Sequence, residues 1–288
     1  MLYLSFHEAL STALYSELLY NVTNRVEGFS VGGVSPSVKL QDLATFRAQE
    51  EMQSLTVNDI MLKFTNMTLR PCRFEFGVEN LVEALELASL YVKIGAASVV
   101  ESAIALAASG DAYFVGIITA VMAQEMTQVG YIQALLNKQP SNEAYIGPMN
   151  VTLAYSYFQR YVVPGSCPDA SEVPFTVLPR LDVLNAPAAK DSNITVQFRF
   201  AANALSKPAS ALSLVFMNSW TNPVVQNTSV VYQDSDFVVV EAPYTFDNNF
   251  GLNYAVLSDS AGPFENNLVA ADAAVVGPAV WQVDKIGE

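Results

Sequence analysis

The chain has 288 residues, of which 51% are hydrophobic and only 15% charged, which excludes a long disordered protein. Its 14 Lys+Arg stand against 28 Asp+Glu, a net charge of −14, so a basic surface for nucleic acid is excluded as well. At roughly 150 residues per domain, the length fits one large domain or two modest ones.

Helical periodicity begins within the first six residues and predicts a helix over about Leu2 to Val26. A Gly/Ser/Pro loop, Gly28 to Ser37, leads to a second helix over about Leu40 to Asn66. The connection through Arg70-Pro71-Cys72 precedes a third, about Val78 to Ala108, and Ser109-Gly110-Asp111 reads as a turn before a fourth, about Asp111 to Lys138. Steps of three and four mark a stripe on each of three helices. The first carries Phe6, Leu10, Ala13, Glu17 and Tyr20; the second Leu43, Phe46, Glu50, Gln53, Val57, Ile60 and Phe64; the fourth Phe114, Ile118, Val121, Glu125, Gln128, Ile132 and Leu135. Such stripes form the seam of a helical bundle. Mean hydropathy is +0.27, but the longest apolar run, Ala96 to Ala123, is broken by Glu101, Gly110 and Asp111. No transmembrane helix is expected.

The pattern changes near residue 150. β-Branched runs at Phe175–Val183, Ile194–Ala201, Leu212–Met217, Val224–Tyr232, Phe237–Glu241, Tyr254–Ser258 and Ala274–Val283 are separated by Pro, Asn, Asp and Gly. Pro179 weakens the first. Seven short strands at this spacing predict an Ig-like β-sandwich. The expected organisation is α+β: a four-helix bundle over 1–150, a linker over 151–172 with Cys167 in its Pro164–Asp169 turn, and a sandwich over 173–288.

Glu17, Glu50, Gln53, Glu125 and Gln128 interrupt otherwise apolar stripes, and a buried carboxylate costs several kcal/mol unless paired, protonated or metal-bound. The second and fourth helices share Glu-x-x-Gln at one level of the seam. Bundles holding two metal ions use Glu from two helices and Glu-x-x-His from the other two.

Together with Pro71-Cys72-Arg73-Phe74-Glu75-Phe76, Glu86…Gly95-Ala96-Ala97, the Glu125 helix ending in Leu135-Leu136, and Ser166-Cys167-Pro168, this pattern resembles the ferritin-like secreted family that includes plant desiccation-related and fungal stress-response and sexual-development proteins. The resemblance covers roughly residues 1–180. It implies a ferritin-like four-helix bundle, a Cys72–Cys167 disulfide, and carboxylate positions at Glu17, Glu50, Glu86 and Glu125. The chain departs from the family in carrying Gln53 and Gln128 where the motif has His, and an amide oxygen is a poor ligand for transition metals. Lys93 stands where the family usually shows Tyr, one heptad beyond Glu86. Either its ammonium joins the two amides in replacing the metals, or Lys93 faces solvent while Leu85, Ala88, Val92 and Val99 face inward. The only histidine, His7, lies about ten residues from Glu17 and is expected on the surface.

The N-terminus lacks a basic leader followed by an apolar block. Sequons at Asn21, Asn66, Asn150, Asn193 and Asn227, and two cysteines consistent with one disulfide or two unrelated thiols, favour a secreted glycoprotein whose signal has been removed. The expected role is a structural protein of the cell surface or wall, homo-oligomeric or assembling with partners, around a degenerate site without cofactor. The rivals are a carboxylate-bridged oxidase or peroxide-handling protein with an iron or manganese pair, and a carbohydrate-binding surface protein. Val31-Gly-Gly-Val34 lacks the length and Lys of a nucleotide cradle, and no Gly-x-Ser-x-Gly elbow is present. Asp247-Asn248-Asn249 and Glu265-Asn266-Asn267 read as turns before calcium sites. Trp220, Tyr244, Phe246 and Trp281 read as sandwich core before a sugar platform.

Overall fold

A computed structural model describes residues 1–30, 40–140, 146–188, 193–205, 207–218, 222–245 and 250–284. Four long helices open the chain: α1 (Leu2–Thr23), α2 (Leu40–Thr65), α3 (Leu81–Ala108) and α4 (Ala112–Leu135). Each falls within three residues of its predicted bounds. Gly110, at φ +88°, takes the left-handed conformation that ends α3, and the Asp111 N–H closes on the Leu106 carbonyl. From Tyr91 to Val99 every residue of α3 is buried, which explains why its sequence is apolar all round. Among the described residues α3 alone is long and apolar enough to cross a membrane, and half of its most apolar window is buried.

The chain divides into two compact units: Met1–Val99, Leu106–Ser141 and Tyr161–Pro174 form one, and Val100–Ala105, Asn142–Arg160 and Phe175–Glu288 the other. This cuts across the expected boundaries at 150 and 172. Residues 151–158 are a helix, α5 (Val151–Phe158), which packs against a strand of the β unit. Asn150 starts it by accepting the Thr152 N–H at 2.9 Å. Residues 161–174 belong instead with the helices. There Val162 bridges Phe74, Glu75 and Tyr161 join by a 2.9 Å backbone hydrogen bond, and Cys72 and Cys167 form a disulfide with Cα atoms 4.3 Å apart. Arg70 donates to Asp169 at its edge.

The second unit has eight strands: β1 (Asp182–Val183), β2 (Ile194–Ala201), β3 (Ser213–Asn218), β4 (Val224–Asn227), β5 (Ser229–Gln233), β6 (Phe237–Tyr244), β7 (Gly251–Ser258) and β8 (Ala274–Val283), with α6 (Asn267–Asp272) before the last. They form two antiparallel sheets, β1-β2-β6-β5 and β4-β3-β7-β8. Val196, Phe198 and Val240 of the first share a core with Phe216, Leu257 and Trp281 of the second. The expected single strand Val224–Tyr232 is two strands in different sheets. Thr228 makes the corner, its hydroxyl donating to the carbonyls of Ala209 and Leu212. No Gly or Pro announces that corner in the sequence. Of the expected strand Phe175–Val183 only Asp182–Val183 pairs, beyond Pro179.

Candidate functional site

α1 buries Tyr3, Leu4, Ser5, Phe6, His7, Glu8, Leu10, Ser11, Leu14, Tyr15, Leu18 and Val22, so Phe6 and Leu10 of the predicted stripe are inside while Ala13, Glu17 and Tyr20 are not. Its inward face is therefore turned by about one residue, some 100°, from the predicted stripe of Phe6, Leu10, Ala13, Glu17 and Tyr20. The turn exchanges the site's acid. Glu17 lies partly exposed, and Tyr20, at the end of the predicted stripe, is 64% exposed. Glu8 and His7 take the interior, with His7 0% exposed rather than on the surface. Leu and Tyr recur on every side of α1, at Leu2, Tyr3, Leu4, Leu10, Leu14, Tyr15, Leu18, Leu19 and Tyr20, so periodicity does not set its phase.

The imidazole of His7 stacks on Tyr91 of α3, ring centroids 4.7 Å apart and planes 10° from parallel, with Tyr3 on its other neighbour position at 6.0 Å. The Tyr91 hydroxyl donates to the His7 carbonyl at 2.5 Å. Gly95 makes room for the ring, since a Cβ there would lie 2.1 Å from His7 Nε2. Ligand atoms of His7, Glu8 and Glu125 all lie within 4.8 Å of one another. Glu50 sits beside them, accepting from Ser11 at 2.6 Å and from the Gln128 amide at 2.6 Å. Gln128 in turn accepts from the Tyr15 hydroxyl at 2.9 Å. A belt of amides extends outward: Gln124 donates to Gln49 at 2.6 Å, and Gln53 donates to Gln124 at 2.8 Å.

The structure thus brings together Glu50, Glu125 and Gln128 of the residues singled out from sequence, and leaves others out. Glu86 is exposed and pairs with Lys138 at 2.9 Å. Gln53 lies at the periphery, bonded to Gln124. Lys93 is buried, so it does not face solvent.

Burial governs the titration of the cluster. It drives the His7 imidazole down to about 4, against the pull of Glu50, so the ring is neutral and able to ligate. Burial first, then Glu50, pushes the Glu8 carboxyl well up; burial, then Glu8 and Glu50, does the same for Glu125. Glu50 rises less, because Ser11 and Gln128 donate to it. Among the described residues, neither carboxyl oxygen of Glu125 nor Oε2 of Glu8 has a hydrogen-bond partner.

Of the sequons, Asn66, Asn193 and Asn227 are exposed, Asn21 is half-buried, and Asn150 is buried. The Asn150 amide donates to Glu101 at 3.2 Å and Asp272 at 3.3 Å, and its side-chain oxygen caps α5. Asn266 caps α6 through the Leu268 and Val269 N–H groups, the structural reading of the 265–267 turn. Tyr244 and Trp281 lie in the sandwich core. Trp220, Phe246, residues 247–249 and the 31–34 loop lie outside the described residues. The sequence matches no known protein-family model and shows no significant similarity to a curated protein.

Proposed function

We propose that the helical unit is a cation-binding bundle centred on His7, Glu8 and Glu125, with Glu50 adjacent. One observation carries the reading: Glu125 is fully buried with both carboxyl oxygens lacking hydrogen-bond partners among the described residues. An acid kept in such a place needs a proton or a cation, and here a neutral imidazole and a second acid stand within ligating distance of the same point. A hydrogen-bonded relic in which hydroxyls and amides replaced the metals accounts for Glu50 but leaves Glu125 unsatisfied. One imidazole with carboxylates suits zinc, manganese or ferrous iron, and such an ion would supply charge neutralisation and Lewis acidity in a dry interior.

The order of four long helices, the pairing of Cys72 with Cys167 and the inward acids support a ferritin-like bundle, and the strand order supports an Ig-like sandwich after it. The disulfide and the exposed sequons support a secreted glycoprotein. A second reading, a metal-free structural protein of a surface assembly, draws on the complete bonding of Glu50. Elemental analysis of the full chain after dialysis separates the two. The cation reading expects near-stoichiometric transition metal, reduced about tenfold or more by Glu125→Gln, together with a fall in Tm on chelation. Metal-free protein with a Tm indifferent to chelator would overturn it.

A further inference from the structure

His7, Glu8 and Glu125 are all buried, so an ion reaches their ligand atoms only through a gap among the helices. A cavity of about 230 Å³ among the four helices includes Glu8 in its lining. On α2 the same lining takes in Met52, which is 64% exposed, and Thr56, also exposed, so the cavity opens to solvent there. It thus joins the surface to one member of the proposed centre.

The wall is mixed and selects no organic guest: the Met1 amino group, Thr56 and the Gln49 amide are interspersed with Val57, Ile60 and Phe114. Water suits such a wall. At about 30 Å³ per molecule the space holds about seven waters, more than the six-fold shell of a small divalent ion. Gln49, Gln53 and Thr56 recur at steps of four and three, so they share one face of α2. Ser5 bonds Asn58 at 2.9 Å and Ser11 bonds Glu50 at 2.6 Å, which sets Glu8, midway between them, at about the level of Gln53. Gln53 gives its amide N–H to Gln124, while its oxygen is buried without a hydrogen-bond partner among the described residues, as is Oε2 of Glu8. Burial pushes the Met1 amine down, away from its charged form, and it stands about two turns from Glu8, so it repels an incoming cation little.

We infer that this cavity is the entry path of the cation: a hydrated divalent ion passes along the Thr56 and Gln53 oxygens and exchanges water for Glu8. The inference rests on the cation reading and adds the route by which the buried centre fills and empties. A path differs from a ligand in its kinetics. Arrival and departure cross the same barrier, so obstructing it slows both by one factor and leaves the affinity where it was.

Stopped-flow mixing of the metal-free full chain with cobalt(II), followed by its d–d absorbance, measures loading, and transfer into excess chelator measures release. Val121→Trp, which fills the cavity, is expected to slow both at least tenfold while the final stoichiometry, the absorption band and the helical circular dichroism stay unchanged. Ile117→Trp serves if that variant fails to fold. Gln53→Leu is expected to slow both severalfold, and Leu55→Trp, on the outer side of α2 at 57% exposure, to slow neither. Unchanged rates with the cavity filled, or a change in affinity alone, overturn the path and leave the cation reading standing. A parent chain that takes up no cobalt(II), zinc(II) or manganese(II) sinks both.

Discussion

Gly95 on α3 and His7 on α1 are fitted to each other so closely that a methyl group on residue 95 would sit 2.1 Å from His7 Nε2 and 2.4 Å from Cε1. The missing side chain of one is the space for the ring of the other. Gly95→Ala must displace the imidazole from Tyr91, and overpacking of this kind costs about 1–3 kcal/mol. Thermal melts should show a Tm lower by several degrees, with metal content reduced. In a double-mutant cycle, His7→Ala should relieve much of the cost of Gly95→Ala. Additive losses would mean that the two residues do not compete for space.

The disulfide closes a loop of 95 residues and fastens the segment before α3 to the 161–169 segment. Loops of this length carry a chain-entropy stabilisation of about 4–5 kcal/mol. The Cys72→Ser/Cys167→Ser protein should lose several kcal/mol in denaturant unfolding of the helical unit. Arg70→Ala, which removes only the exposed ion pair with Asp169, should leave the midpoint nearly unchanged.

Glu101 titrates where most glutamates have long been ionised. Burial, aided by Asp272 and opposed by the Val151 N–H, lifts its carboxyl to about 7. The folded state therefore holds a proton that the unfolded state releases near 4.5. Its stabilising contribution is full below about 4.5 and is lost as pH rises through about 7. The group is partly exposed, so screening reduces the effect to about 1–2 kcal/mol. Subtracting the stability–pH curve of Glu101→Gln from that of the parent should leave this slope between pH 4.5 and 7. A flat difference would show that the carboxyl titrates normally.

Peptide mapping of protein made in a glycosylating host should find sugar on the exposed Asn66, Asn193 and Asn227 and none on Asn150. Asn150→Ala removes both the α5 cap and the bridge from Glu101 to Asp272, and should cost about 1–2 kcal/mol without changing the glycan mass. A glycan at Asn150 would be incompatible with its burial.

Periods of 3.6 and 2 and the Gly, Pro and Asn breaks are local properties of the chain, so they place the helices and most strands without any knowledge of packing. The phases of α2 and α4 are equally legible, and their apolar stripes carry Glu50, Glu125 and Gln128 into the interior. Two kinds of feature were settled only by tertiary structure. α1 and α3 carry apolar residues on nearly every side, so only packing chose Glu8 and His7 over Glu17, and Tyr91 and Gly95 over Glu86. The β-branched run from Val224 to Tyr232 likewise satisfies the local rules of one strand, and only competition between two sheets for its backbone bends it at Thr228.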